Sequence, residues 1–161
     1  MLDTLANFFL LFNDEQVIIL LIIIGYIWID SRTFFHATCL LLITMLYNPF
    51  LKFIFQVPLS PSLNQEGFAF PSGHMQTSLA FYGWFYINKN SITKILILSL
   101  LSGIGISLIY FGYHNLFDIL GAIFFGITSI FLYMFLLTYL KKNILYLILM
   151  ISSTFFIGYM G

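Results

Sequence analysis

Long apolar runs separated by short polar breaks extend along the whole chain, and their lengths predict the architecture. Six runs stand out: Gln16–Ile29, His36–Phe55, Pro71–Ile87, Ile92–Tyr110, Asn115–Leu140 and Ile144–Met160. A bilayer's hydrocarbon core, about 30 Å thick, takes roughly 20 residues of helix to cross. Within it every backbone group must be bonded internally, and the two-residue alternation of a barrel is missing, so the runs are expected to be helices. The predicted fold is an all-α membrane protein, a six-transmembrane-helix bundle. Leu5 to Phe12 is too short to cross and is followed by Asn13-Asp14-Glu15, which predicts a short N-terminal interfacial helix lying against the headgroups. The first full run is itself short and would extend into Asn13 or Arg32 by snorkelling. Asp3 stands where a secretion leader carries basic residues and no small-residue cleavage site follows, so the N-terminal stretch is expected to be retained. No repeat or linker divides the chain, and residues 1–161 read as a single domain.

Composition narrows the function classes. Hydrophobic residues make up 61% of the chain and charged residues 7%, against about 25% charged in soluble domains. Mean hydropathy is +1.02. Six basic and six acidic residues cancel, leaving no basic surface for nucleic acid. The single Cys39 excludes an internal disulfide and a cysteine-based metal cluster. Connections after the first, third and fifth runs carry Arg32, Lys89, Lys94, Lys141 and Lys142, whereas the other side carries Asp3, Asp14, Glu15 and Glu66 with only Lys52 at a helix end. The positive-inside rule predicts that the first group is cytoplasmic. The polar 56–69 connection, the Ser72–His74 string and the His114 turn then share the outer face.

Those two polar strings carry the candidate chemistry, because ionisable groups within membrane segments are costly and mark sites. Pro71 suits a first helical turn, so the amides of Ser72, Gly73 and His74 are expected at a positive helix end that attracts phosphate. Gly73 would let a ligand approach the backbone, and Ser72 adds a hydroxyl donor. His114 and Asp118 are four residues apart and share a helix face, so the carboxylate can hold one ring nitrogen while the other attacks. His74 can then protonate the departing oxygen. The pattern points to phosphoryl transfer through a covalent histidine: His114 nucleophile, Asp118 orienter, His74 general acid, with Lys52, Ser72 and Gly73 binding phosphate. The histidines lack the HExxH spacing and one carboxylate makes a thin ligand set, so neither metal nor cofactor is expected.

With these residues the chain resembles the type 2 phosphatidic acid phosphatase superfamily, whose motifs are KxxxxxxRP, PSGH and SRxxxxxHxxxD. Pro71-Ser72-Gly73-His74 matches the second in full. Ser107-Leu108, then His114 and Asp118, follow the third; Lys52, with Leu59-Ser60 between Pro58 and Pro61, follows the first. The resemblance spans Lys52 to Asp118 and implies a six-helix core and dephosphorylation of lipid phosphates or polyprenyl diphosphates. It also implies a periplasm-facing site, as in bacterial members in the inner membrane. By position, His114 resembles the nucleophile, Asp118 its partner and His74 the acid. The expected partners are a membrane phospholipid or polyprenyl phosphate and the bilayer.

Leu59 and Leu108 stand where the family motifs have arginine. Arginine forks are the natural grip on a phosphate monoester bearing about −1.5 to −2 charges. Three readings follow: a singly charged phosphodiester substrate, as in the sphingomyelin-synthase-like branch; another residue in the arginines' place, Tyr110 or Tyr113 being candidates; or a non-catalytic lipid-binding relative. Other polar residues have plainer expectations. Ser107 reads as helix packing beside Ser102, Gly103 and Gly105. His36, beside Arg32, is expected at the cytoplasmic interface outside the site. Tyr110, Phe111 and Tyr113 read first as an aromatic belt.

Overall fold

The computed structural model describes residues 1–59, 67–88 and 90–139. Among them are helices α1 (Leu2–Leu11), α2 (Glu15–Ile24), α3 (Ser31–Phe55), α4 (Gly73–Asn88), α5 (Ser91–Tyr110) and α6 (Leu116–Tyr139), with a π-helical turn, Gly25–Ile29, continuing α2. The only extended pairing among these residues is an isolated bridge, Pro58 to Phe68. The sixth apolar run, Ile144–Met160, lies outside the described residues, as do Glu66, Lys89, Lys141 and Lys142.

Helices α3, α5 and α6 are each long and apolar enough to cross a membrane. α4 has 16 residues, about 24 Å of helix, and is shorter than a full span. It is nevertheless the hub, packing on α3, α5 and α6. Ala80 and Phe81 on α4 are closed off, together with Leu40 from α3, Ile104 from α5, and Ala122 and Tyr133 from α6. Short polar side chains start these helices by accepting the amides a first turn leaves open: Asp30 takes the Thr33 N–H for α3, and Asn90 that of Thr93 for α5.

The N-terminal helix α1 lies antiparallel along α5: the Tyr110 hydroxyl donates to Asp3 at 2.9 Å, while the Phe9 ring occupies the space a side chain at Gly103 would take. Between those two contacts α1 descends about 10 Å along α5. α1 and the α2–π run together satisfy the length and hydropathy of one span, bent by 51° at Phe12–Asp14. Asn13-Asp14-Glu15 marks the bend between the two helices. The Ser78 hydroxyl donates to Asn13 Oδ1 and the Tyr82 hydroxyl to the Phe12 carbonyl, so α4 satisfies the polar groups of the bend.

Candidate active site

The C-terminal ends of α3 and α5 and the N-terminal ends of α4 and α6 meet at one end of the bundle. α5 closes with Gly112 in the left-handed region at φ 71°. The Gly112 N–H donates to Ile109 and the Tyr113 N–H to Leu108, the paired bonds of a Schellman stop. The Leu108 carbonyl also accepts from His114 N–H at 3.3 Å, which fixes where the histidine leaves the helix. α6 then opens with a reciprocal cap: Asp118 N–H donates to Asn115 Oδ1 at 2.9 Å and Asn115 N–H to Asp118 Oδ2 at 3.0 Å.

The cap delivers the Asp118 carboxylate to His114. Oδ2 lies 3.4 Å from His114 Nδ1, with the histidine side chain 7% exposed. That nitrogen is buried and has no better-aligned partner. With Nδ1 turned to the carboxylate, Nε2 is the ring nitrogen left to the cleft. Burial holds the imidazole below its ordinary pKa, Lys52 and His74 act in the same direction, and Asp118 opposes them. The ring is thus kept neutral, the form that can act as a nucleophile.

His74 is exposed in the first turn of α4, its ring centroid 6.4 Å from that of His114. The two rings share a cleft of about 500 Å³ with Lys52, from the last turn of α3. Leu59, Leu108 and Tyr113 line it, and Leu10, Asn13 and Asp14 at the bend between α1 and α2 close its remaining side. Both arginine-replacing leucines thus face the site, and Lys52 is the one lysine or arginine among the described residues lining it. Of the two tyrosines considered, Tyr113 reaches the cleft, whereas Tyr110 is committed to Asp3.

Ser72 and Gly73 lie here in roles the sequence did not suggest. The Ser72 N–H donates to the Asp118 carbonyl at 3.1 Å and its hydroxyl accepts from Met75 N–H at 3.4 Å, with the residue wholly buried. Ser72 therefore ties the start of α4 to the turn that carries Asp118. The space left by the absent Gly73 side chain is filled by Asn48, whose Oδ1 would lie 3.0 Å from a β-carbon there. Asn48 in turn donates to Gln76 Oε1 at 2.8 Å and to the Pro71 carbonyl at 3.2 Å. The amides of Gly73 and His74 have no protein partner among the described residues and are the open donors of this helix end.

Several residues outside the initial site prove structural. The Ser107 hydroxyl bonds back to the Gly103 carbonyl at 2.7 Å. His36 lies outside the cleft, as expected, with Nδ1 2.8 Å from the Tyr133 hydroxyl and its ring 5.4 Å from Trp84. Asn48, Gln76 and the Asn13–Asp14 wall were not anticipated as part of this end. Their available signal was polarity inside apolar runs, the same one that singled out His74 and His114. Among the described residues no group of three or more potential ligands is placed to hold a metal.

Comparison with known proteins gives one match: the model of the PAP2 superfamily covers residues 32–142. The chain belongs to that superfamily. No curated protein and no solved structure matches it. The matched segment holds Lys52, His74, His114 and Asp118 but excludes α1 and the Asn13–Asp14 bend.

Proposed function

We propose that this PAP2 superfamily member cleaves or transfers the phosphate ester of a membrane lipid through a phosphohistidine formed on His114. The observation that carries the reading is the buried His114 held against Asp118 and facing His74 across a cleft that also contains Lys52. Nε2 attacks phosphorus and the phosphorus–oxygen ester bond breaks, its electrons leaving with the alcohol oxygen. His74 in its protonated form gives that oxygen a proton. Lys52 and the open amides of Gly73 and His74 offset charge on the remaining phosphoryl oxygens. An acceptor hydroxyl, water for a phosphatase or an alcohol for a transferase, then attacks phosphorus with His74 as base, restoring His114. Asp118 holds the ring orientation throughout. The distribution of cations along the chain supports an outward-facing site.

Leu59 and Leu108 in the wall favour a second reading within the same chemistry, in which the substrate is a singly charged phosphodiester and the product a transferred headgroup. Purified protein is to be assayed with phosphatidic acid, phosphatidylglycerophosphate, undecaprenyl diphosphate and diester phospholipids, following free phosphate and new lipid products separately. His114→Ala is expected to abolish turnover and the acid-labile phosphoprotein formed by the wild type. Equal turnover by the variant sinks the mechanism. Lipid binding without turnover of any substrate identifies a non-catalytic relative.

A further inference from the structure

The face of α4 that carries His74 also carries Ser78 and Tyr82, four and eight residues on, stacked along the helix. The Tyr82 hydroxyl donates to the Phe12 carbonyl and the Ser78 hydroxyl to Asn13 Oδ1. Toward the start of α4 the partners thus advance from Phe12 to Asn13, and the next turn sets His74 beside the residues that follow, Asp14 and Glu15. Asp14 lines the cleft with His74, but its carboxylate caps α2 through Gln16 N–H at 2.9 Å. Glu15, the first residue of α2, makes no hydrogen bond or ion pair with a described residue, and the His74 ring has no hydrogen-bond partner among them. Two fixed charges of opposite sign act on that ring, Lys52 from α3 and Glu15 from α2. Lys52 disfavours an imidazolium there, and Glu15 favours one.

We propose that Glu15 is a positioning residue of this site, keeping the His74 ring charged beside Lys52 so that it can protonate the departing oxygen. Giving up that proton leaves a neutral imidazole, the form needed as base when the acceptor hydroxyl attacks. The other titratable groups around the ring are Asp14 and Tyr113 in the cleft wall and His114 across it, with Asp118 behind His114. Asp14 is engaged in its cap and Asp118 with His114, so Glu15 is the carboxylate left to His74. The inference rests on the phosphate-ester reading above and adds a residue to it. Glu15 lies outside the segment that the superfamily match covers.

The test uses the detergent-solubilised full chain, isotope-labelled at histidine and titrated by NMR, with the His74 signal identified by its loss in His74→Gln. Glu15→Gln is expected to lower the pH at which His74 titrates by about one unit, the scale of a single nearby charge, with an unchanged melting temperature because Glu15 bonds to nothing in the fold. Glu15→Asp is expected to keep most of the wild-type value. Asp3→Asn removes a carboxylate that is bonded to Tyr110 instead, and is expected to leave the titration where it was. Turnover supplies a second readout. Above the titration of His74, Glu15→Gln is expected to cut hydrolysis of an alkyl phosphate ester about tenfold, since the acid must be protonated, and to move the basic limb of the pH profile down with the titration. A nitrophenyl ester, whose oxygen departs without a proton, is expected to lose little. An unchanged His74 titration in Glu15→Gln, a shift of the same size in Asp3→Asn, or an equal loss with both esters overturns the inference and leaves the phosphate-ester reading standing. A titration shift in Glu15→Gln without turnover of any ester upholds the pairing of Glu15 with His74 and removes the phosphoryl-transfer reading instead.

Discussion

His114 and Asp118 show how much a four-residue spacing conveys and where it stops. The spacing implied a shared face, and the 3.4 Å approach of Nδ1 to Oδ2 follows from it. The means of orientation is not a continuous helix, since His114 precedes α6 and the carboxylate is aimed by its bond with Asn115. Asp118→Asn should therefore disturb both the cap and the ring, lowering kcat by roughly 10⁴-fold, the scale seen when an orienting carboxylate is lost. The sign of the pH effect is also set. Attack requires neutral imidazole, and burial lowers the His114 pKa from its ordinary 6.5, so the acid limb of the wild-type profile is expected below pH 6.5. Removing the carboxylate withdraws the influence that raises the pKa, so residual activity in Asp118→Asn should persist to lower pH than in the wild type. A limb shifted upward would contradict the assignment. Ser72 and Gly73 mark the limit at this scale: their motif was legible, but the sequence contains no sign that Asp118 takes the Ser72 amide or that Asn48 fills the space at Gly73.

Helices α3 to α6 were visible as apolar runs, although α4 is shorter than a full span. The pairing of α1 with α2 was not, because polar Asn13-Asp14-Glu15 divides them in the sequence. What joins them is α4, whose Ser78 and Tyr82 bond the bend. The same dependence on a neighbour appears where α3 meets α4. Asn48 is 6% exposed, and with its Gln76 and Pro71 bonds it locks the end of α3 to the helix carrying His74. Asn48→Ala leaves two buried acceptors unpaired and is expected to cost about 1–2 kcal/mol, the range of interhelical hydrogen bonds in membrane proteins. It should read as a lower melting temperature in detergent, accompanied by reduced turnover as the His74 turn loosens. An unchanged melting temperature would show that the Asn48 bonds are not needed to hold this contact.

At the level of the whole molecule, four helix ends and the bend of a fifth element enclose one cleft, and its charge balance is a property of the assembly. Leu59 lies at the cleft wall and can be tested there: Leu59→Arg adds a fork beside Lys52 and is expected to raise the affinity for inorganic phosphate about tenfold or more. Phosphate titration checks this, and no gain would place residue 59 outside phosphate reach. Composition, run length and motif spacing by themselves determined that the chain is a helical membrane protein, that it carries the PAP2 motif residues His74, His114 and Asp118, and that two arginine positions hold leucine. These properties are local, set by the match between hydrophobic length and bilayer thickness and by the period of a helix. Tertiary structure alone decided that both leucines line the cleft with Lys52, that Ser72 is bonded to the Asp118 turn while Asn48 lies against Gly73, and that the bend between α1 and α2 brings Asn13 and Asp14 into the cleft wall. Those outcomes depend on which polar groups from distant segments satisfy one another in the packed bundle, and a buried group's partner is chosen by packing, not by its neighbours in the chain.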